Sequence, residues 1–269
     1  MTKHNFHNHI AGFYELCKRL GKIQLDGQKN LDINLKSDNS PVTNIDLYSS
    51  TLIVKHISEN FENDIIVSEE SESKNQISSC YWLVDPIDGT KNYIKGGNEF
   101  CICISYIENN YPIFGIIYIP SEDQFYYAIQ NEGSFLFNNT HNKPRRIINK
   151  KIINNIYVSS AIRESLVDML EVNFQDSNLI YMSSAVKFVR IAEGKGHLSL
   201  RLGPTHEWDT AAGQCIVEET GGLFLDKNID RFSYGHTNSY LNGPFFVING
   251  DVKKYKNSII QSLSLAGLT

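Results

Sequence analysis

The residues whose chemistry stands out are carboxylates. The run Trp82-Leu-Val-Asp85-Pro-Ile-Asp88-Gly-Thr90 carries an apolar strand into two acids three residues apart. Pro86 fixes the turn between them, and Gly89 frees the backbone ahead of a helix starting at Thr90. Such a turn can aim both carboxylates and the Ile87 carbonyl at one point. Hard oxygen donors on a rigid strand end suit Mg²⁺, whereas a soft metal would want His or Cys, and neither is within reach in sequence. The amides of Gly89 and Thr90, at the helix start, could receive a phosphate oxygen. The same Asp-Pro-x-Asp-Gly wording also makes a good turn with no function.

Further acids extend this set, each with an ordinary alternative. Glu69, beside Glu70, sits where a short apolar run ends, the usual place for a solvated loop acid. Asp209 follows Trp208 and opens a helical run, where an N-cap would contribute about 1 kcal/mol without any chemistry. Thr43-Asn-Ile-Asp46 reads equally well as a capping box. A coincidence of strand-end acids with helix-start acids is harder to dismiss, because clustered carboxylates repel unless cations neutralise them. Their convergence would therefore imply a metal.

The elements that must position these groups follow from periodicity. Ile10, Phe13, Leu16, Cys17 and Leu20 fall at helical spacing and predict a helix over 9–25 that stops near Gly21; a second fits 46–60, with Leu47, Leu52, Ile53 and Ile57 inward. Ile65 to Val67 and Tyr81 to Val84 are apolar runs of the kind found in covered sheets. Phe100 to Ile107, Pro112 to Ile119 and Gln124 to Ile129 alternate between turns, which predicts an antiparallel meander. Within it, Cys101 and Cys103 read as buried core thiols of a strand. The basic segment 139–151 marks the boundary between an N-terminal half, 1–150, with most of the metal ligands, and a C-terminal half, 151–269, that completes the site. Beyond it, strands at Ile156 to Ser159, Leu179 to Met182, His197 to Leu202 and Phe245 to Ile248 alternate with helices at 161–174, 184–194 and 209–219. The expected class is α/β, in layers of helix and sheet, with the site between the halves.

Composition narrows the chemistry. The chain has 269 residues, 41% hydrophobic and 20% charged, enough for a sizeable core. A net charge of −5 argues against a nucleic-acid polymer as partner, so an anionic ligand must find a local basic pocket or a metal. No run is long enough to span a membrane, and Met1 to His9 does not resemble a signal peptide. Five cysteines without zinc spacing suit a reducing compartment. A cytoplasmic protein is expected. Walker, Gly-x-Gly-x-x-Gly, His-Glu-x-x-His and Gly-x-Ser-x-Gly motifs are all missing, which removes the usual support for P-loop, hydride-transfer, zinc-protease and serine-esterase chemistry.

Together these segments resemble the inositol monophosphatase superfamily of Mg²⁺-dependent, lithium-sensitive phosphatases. Trp82 to Thr90 resembles its first signature. Trp208-Asp-Thr-Ala-Ala-Gly213 followed by Glu219-Thr-Gly-Gly222 resembles its second, and Pro41-Val-Thr43-x-x-Asp46 and Ser68-Glu-Glu70 match two more. Within it the chain most resembles the CysQ-type 3′(2′),5′-bisphosphate nucleotidases, through Ser37-Asp-Asn-Ser-Pro-Val-Thr43, Asp88-Gly-Thr-Lys91, Ser183-Ser-Ala-Val-Lys-Phe188, Ala192-Glu-Gly194 and Arg201-Leu-Gly-Pro-Thr205.

The resemblance implies a layered α/β/α/β/α sandwich, the sugar phosphatase fold. It implies hydrolysis of adenosine 3′,5′-bisphosphate to AMP and phosphate in sulfur metabolism, with 3′-phosphoadenylyl sulfate as a second substrate. Two or three Mg²⁺ ions would be held by Glu69, Asp85, the Ile87 carbonyl, Asp88 and Asp209, while Asp46 with Thr90 would orient and deprotonate the attacking water. Gly89, Thr90, Ser184, Lys187, Arg201 and Asp209 would contact substrate. Lys187, Arg190, Lys195 and Arg201 form a basic stretch that could serve the second phosphate or simply be solvated. His206-Glu207 and Tyr240 to Pro244 depart from the resemblance and could touch the base pocket. A monomer or homodimer is implied, with peripheral association at the cytoplasmic face of the inner membrane as a further expectation. An inositol or sugar monophosphatase with the same metal centre, or a non-catalytic nucleotide or phosphate sensor, is the alternative.

Overall fold

The computed structural model describes residues 4–71, 78–138, 143–148, 153–237 and 239–268. The first amphipathic segment forms α1 (Ile10–Gly27), which buries Phe13, Leu16, Cys17 and Leu20. It does not stop at Gly21. A Cβ there would lie 2.6 Å from the Tyr118 ring and 3.1 Å from Pro120, so this glycine serves a close helix–strand crossing inside the helix. A hairpin of β1 (Ile33–Leu35) and β2 (Pro41–Thr43) leads into α2 (Asn44–Asn60). Thr43 caps α2: its hydroxyl accepts from the Ile45 and Asp46 amides, and the Asp46 carboxylate accepts from the Thr43 amide. The buried face of α2 runs through Asp46, Ser49, Ser50, Ile53 and Ile57. Leu47 is off that stripe and 47% exposed, contrary to its expected inward position.

A seven-stranded sheet follows, with β3 (Ile66–Ser68), β4 (Cys80–Asp88), β5 (Cys101–Glu108), β6 (Tyr111–Ile119), β7 (Gln124–Ile129), β8 (Gly133–Phe137) and β9 (Arg145–Arg146) side by side in chain order. β3 runs parallel to β4 and the rest alternate, so the predicted meander is present and gains two strands. The short α3 (Thr90–Ile94) sits between β4 and β5. Of the basic boundary segment, 139–142 and 149–151 lie outside the described residues, and Arg145–Arg146 pair with the edge of this sheet.

The remainder supplies β10 (Asn155–Val158), α4 (Glu164–Asn173), β11 (Asn178–Tyr181), α5 (Val186–Ala192), β12 (Leu198–Arg201), β13 (Thr205–His206), α6 (Ala211–Glu218), β14 (Leu223–Asp226), β15 (Leu241–Asn242), β16 (Phe245–Ile248) and α7 (Lys256–Ala266). Five of these strands form a second sheet in the order β11-β10-β12-β16-β14. The sequence reading has no counterpart to α7, β14 or the two-residue pair β13 and β15.

Alternation along the strands builds the layers. Trp82, Val84, Ile102, Ile104 and Tyr106 face α1 and α2. Their neighbours Tyr81, Leu83, Cys101, Cys103 and Ile107 face the opposite way, toward α5 and α6, and that cluster continues to Phe224, Phe245 and Val247 of the second sheet. The far face of the second sheet packs Ile156, Leu198, Leu200 and Phe246 against Leu166 and Met169 of α4 and Ile259 and Leu263 of α7. The order is thus helix pair, sheet, helix pair, sheet, helix pair. Both sheets are covered on both sides, which is why their strands read as nearly unbroken apolar runs.

The crossing at Gly21 can be tested alone. Replacing an interior helical glycine by alanine adds up to about 1 kcal/mol of helix propensity. Gly21→Ala is nevertheless expected to cost about 1–3 kcal/mol of stability through overpacking against Tyr118 and Pro120, read as a lower urea midpoint. A raised midpoint would show that the crossing has room.

Candidate active site

The two acids of the central turn reach one side of the sheet through a bulge. In a regular strand, side chains three residues apart point to opposite faces. Here Asp85 pairs with Cys103 and Asp88 with Cys101, so three steps on β4 match two on β5, and the register breaks between the acids. The extra residue restores parity and brings both carboxylates to the face that looks at α5 and α6. Pro86 fits such a bulge, and its carbonyl accepts from Gln24 Nε2 of α1 at 2.9 Å. The same register brings two thiols to this face, so Cys is within reach in space although absent nearby in sequence.

Glu69 arrives by the parallel pairing of β3 with β4. The ladder continues one residue past Ser68 through the Glu69 amide, which donates to Val84 O at 2.9 Å, so Glu69 emerges beside Asp85. Asp209 ends a 3₁₀ turn, Glu207–Asp209, ahead of α6. Glu207 anchors this turn: its carboxylate accepts from Tyr81 Oη and from the Gly235 amide, both at 2.7 Å. Glu207 is therefore buried away from the cleft, whereas His206, stacked on Trp208, lines it. Asn242 of the divergent late loop ties to His206 O at 2.7 Å and Thr210 Oγ1 at 2.9 Å, which holds the turn in place rather than meeting a ligand.

Asp85, Asp88 and Asp209 each offer an oxygen within 4.8 Å of the others. Each is clamped by a backbone amide: Asp85 by Ile87 at 3.0 Å, Asp88 by Ala185, and Asp209 by His206 at 2.8 Å. Burial raises all three pKa values. Neighbouring acids add to the rise, Glu69, Asp88 and Asp209 for Asp85, and Asp88 and Glu69 for Asp209, which is pushed up to about 8. Asp88 is pushed up to about 6 by burial, partly offset by Lys187 and the Ala185 amide. Repulsion of this kind is what a divalent cation relieves, and all-oxygen donors match magnesium.

Asp46 supplies a second sign of fit. It is 1% exposed, Oδ2 takes the Thr43 amide and hydroxyl, and Oδ1 is buried with no hydrogen-bond partner. Burial, with Glu69 adding, raises its pKa to about 6 despite Thr43. Thr90 donates its hydroxyl to Ile87 O at 3.0 Å. Among the described residues Asp46 and Thr90 share no hydrogen bond with each other. Gly89, at φ +98°, turns the chain between Asp88 and α3 where a Cβ would strike Glu99 O at 2.7 Å.

Glu69, Asp85, Asp88, Gly89, Thr90 and Asp209 line a cleft of about 810 Å³ together with Lys187 and Arg201, whereas Asp46 lies outside the lining. Lys187 Nζ donates to Ser184 O at 2.9 Å and Ser183 O at 3.2 Å. Its pKa is lowered by burial, with Asp88 pulling the other way and Arg201 reinforcing the fall. Arg201 is held by Ser159 Oγ at 2.7 Å and Pro204 O at 3.1 Å. Ser184 lies behind Gly89, 1% exposed and outside the lining, where Ser183 takes its place. Arg190 and Lys195 turn away to Glu122 and Glu193.

Two features escape sequence reasoning. The β1–β2 hairpin delivers Lys36 Nζ to Glu69 Oε1 and Glu70 Oε1, each at 2.7 Å. Burial works against the Lys36 charge, but the two glutamates overcome it and raise its pKa. Nothing in local spacing signals this contact across the chain. Tyr181, 53% exposed at the end of β11, lines the cleft mouth; in sequence it is one more strand aromatic.

In sequence and in fold the chain is similar to known proteins. The model for the inositol monophosphatase family matches residues 7–263. The chain is 32% identical over 251 residues to the 3′(2′),5′-bisphosphate nucleotidase CysQ of Haemophilus influenzae, covering 87% of this chain and 89% of that protein. Its fold superposes on the crystal structure of CysQ from Bacteroides thetaiotaomicron with a TM-score of 0.73 at 25% identity, over 89% of this chain and 98% of that one. An IMPase/NADP phosphatase solved with Mg²⁺ and phosphate shares the fold at a TM-score of 0.76 and 18% identity, over 96% and 94% of the two chains.

The electrostatics give a direct test. Acids whose pKa values are raised by folding stabilise the folded chain at low pH, and that contribution is lost as the pH climbs through the folded values. Without divalent cations, Asp209→Asn is therefore expected to come nearest the parent at about pH 4, where the unfolded carboxylate is protonated too, and to melt progressively higher as the pH rises to about 9, by about 2–4 °C per kcal/mol of repulsion relieved. Added Mg²⁺ should stabilise the parent more than the variant. A difference that stays constant across this range, followed by calorimetry, would contradict the clustered charge.

Proposed function

Because the chain belongs to the inositol monophosphatase family, we propose that it is a Mg²⁺-dependent 3′(2′),5′-bisphosphate nucleotidase. It hydrolyses the 3′-phosphate of adenosine 3′,5′-bisphosphate to AMP and phosphate and also accepts 3′-phosphoadenylyl sulfate. The observation that carries this reading is one cleft lined by charges of both signs: the acids Asp85, Asp88 and Asp209, and with them Lys187 and Arg201. A monoester needs only the acids and the metal they would hold. A second phosphate needs the cations as well, since the protein as a whole is acidic.

Glu69, Asp85, the Ile87 carbonyl, Asp88 and Asp209 would hold the Mg²⁺, two or three ions in number. When bound, Mg²⁺ acidifies a water and neutralises charge on the phosphoryl and leaving oxygens. Asp46 takes the proton of the attacking water on Oδ1, the oxygen that Thr43 leaves unused. Thr90 steadies the Ile87 carbonyl, and the turn at Gly89 lets the backbone approach a phosphoryl oxygen. Lys187 and Arg201 fix the 5′-phosphate, and the Tyr181 ring offers a stacking face for the base. The phosphoryl group passes directly to water, with no covalent enzyme intermediate. On this reading residues 1–150 contribute most metal ligands and 151–269 the remainder and the nucleotide contacts. No helix among the described residues is long and apolar enough to cross a membrane. As in the sequence reading, a cytoplasmic enzyme acting as a monomer or homodimer is proposed.

Phosphate release in Mg²⁺ from adenosine 3′,5′-bisphosphate is expected to exceed release from inositol 1-phosphate, and Asp85→Asn should abolish both. A preference for the inositol ester would replace the nucleotidase reading with a monophosphatase one. Arg201→Met and Tyr181→Ala should raise KM for the bisphosphate about tenfold, a loss of roughly 1.5 kcal/mol of charge-assisted or stacking contact, and leave a small monoester little changed. Equal losses on both substrates would remove these residues from substrate recognition.

A further inference from the structure

The face that carries the acidic cluster also carries two cysteines that the proposed reaction does not use. Cys101 and Cys103 occupy alternate positions of β5, so both side chains point the same way, each opposite one acid of the β4 bulge. Both are free thiols, 0% and 1% exposed. Cys101 Sγ lies 3.8 Å from Cys103 Sγ and 3.6 Å from Asp88 Oδ2, and the three groups converge within 4.8 Å.

Those separations have a chemical meaning. In a tetrahedral zinc site with Zn–S near 2.3 Å and Zn–O near 2.0 Å, two sulfurs are about 3.8 Å apart and a sulfur and an oxygen about 3.5 Å apart. The observed spacings are therefore already those of two edges of a tetrahedron. Two sulfurs and one carboxylate oxygen also form a donor set that hard Mg²⁺ disfavours and a softer ion prefers. Three protein ligands leave one position for water.

We propose that Asp88, Cys101 and Cys103 form a second cation site, selective for a thiophilic divalent ion of the zinc class, which competes with magnesium for Asp88 and so inhibits the enzyme. Binding forms two metal–sulfur bonds and one metal–oxygen bond, and the two thiol protons leave to solvent. Because Asp88 lines the cleft and the thiols lie behind it, the ion enters from the substrate side and is held on its inner side by sulfur. The inhibitory half rests on the proposed phosphatase activity, whereas the binding half does not.

The experiment uses the full chain in Mg²⁺ with Co²⁺ as an optical stand-in for zinc. One equivalent of Co²⁺ is expected to produce a thiolate-to-cobalt charge-transfer band that Zn²⁺ bleaches and that the double variant Cys101→Val, Cys103→Val lacks. The double variant should keep its Mg²⁺-dependent turnover and need at least about tenfold more Zn²⁺ for half-inhibition, since even lost supporting contacts around a metal cost about that much affinity. If it does not fold, the single variant Cys101→Ala carries the same comparison. Absence of the band from the parent chain, or equal Zn²⁺ inhibition of parent and variant, would overturn the proposal. A chain that shows the band but hydrolyses no phosphate ester would count against the proposed function and leave the cation site standing.

Discussion

Like charges held together at the floor of a cleft set the terms for the rest of this molecule. Asp85, Asp88 and Asp209 crowd within 4.8 Å, and left to themselves such groups would separate or keep their protons. They stay because each is tied to a backbone amide, and those amides belong to three different parts of the chain: the β4 bulge, the start of α5 and the turn before α6. A flexible side-chain partner could follow a retreating carboxylate. A backbone amide set in a packed layer does not.

The layers can therefore be understood by what they immobilise. α1 sends Gln24 to the Pro86 carbonyl and so braces the bulge from one side of the first sheet. Tyr81, on the other side, reaches Glu207 and fixes the height at which Asp209 enters. β3 and β4 run parallel, which brings Glu69 and Asp85 out at the same end, as antiparallel neighbours would not. Lys36, drawn to Glu69 and Glu70 by the hairpin that precedes α2, compensates part of the acidic field.

The parts legible in sequence are those governed by local pattern. The acids of the central turn, the meander and most helices are readable because periodicity and turn residues act over a few positions, whereas Trp82 to Thr90 and Trp208 to Gly213 are legible as signatures only through the family resemblance. What escaped was set by packing or register. Gly21 looked like a helix end because a glycine that serves a close crossing and one that stops a helix are the same letter. The bulge could not be read from Asp85-Pro-Ile-Asp88 alone, since strand parity is visible only once β5 supplies a partner, and with it went the nearness of Cys101 and Cys103. Glu207 resembled a departure near the ligand and turned out to be a buried strut, because its partners Tyr81 and Gly235 are remote in the chain. Ser184 and Ser183 exchanged places for the same kind of reason: adjacent letters fall on opposite sides of a wall.

The clasp of Asp88 by the Ala185 amide has a bearing on how the protein is made. The first sheet is complete once β9 has left the ribosome, yet its acidic edge then lacks both that clasp and the Asp209 turn. A chain ending there would also leave bare the apolar face that α5 and α6 cover, and it would have no complete pocket. The pocket is therefore complete only when α5 and the turn before α6 have been synthesised and docked.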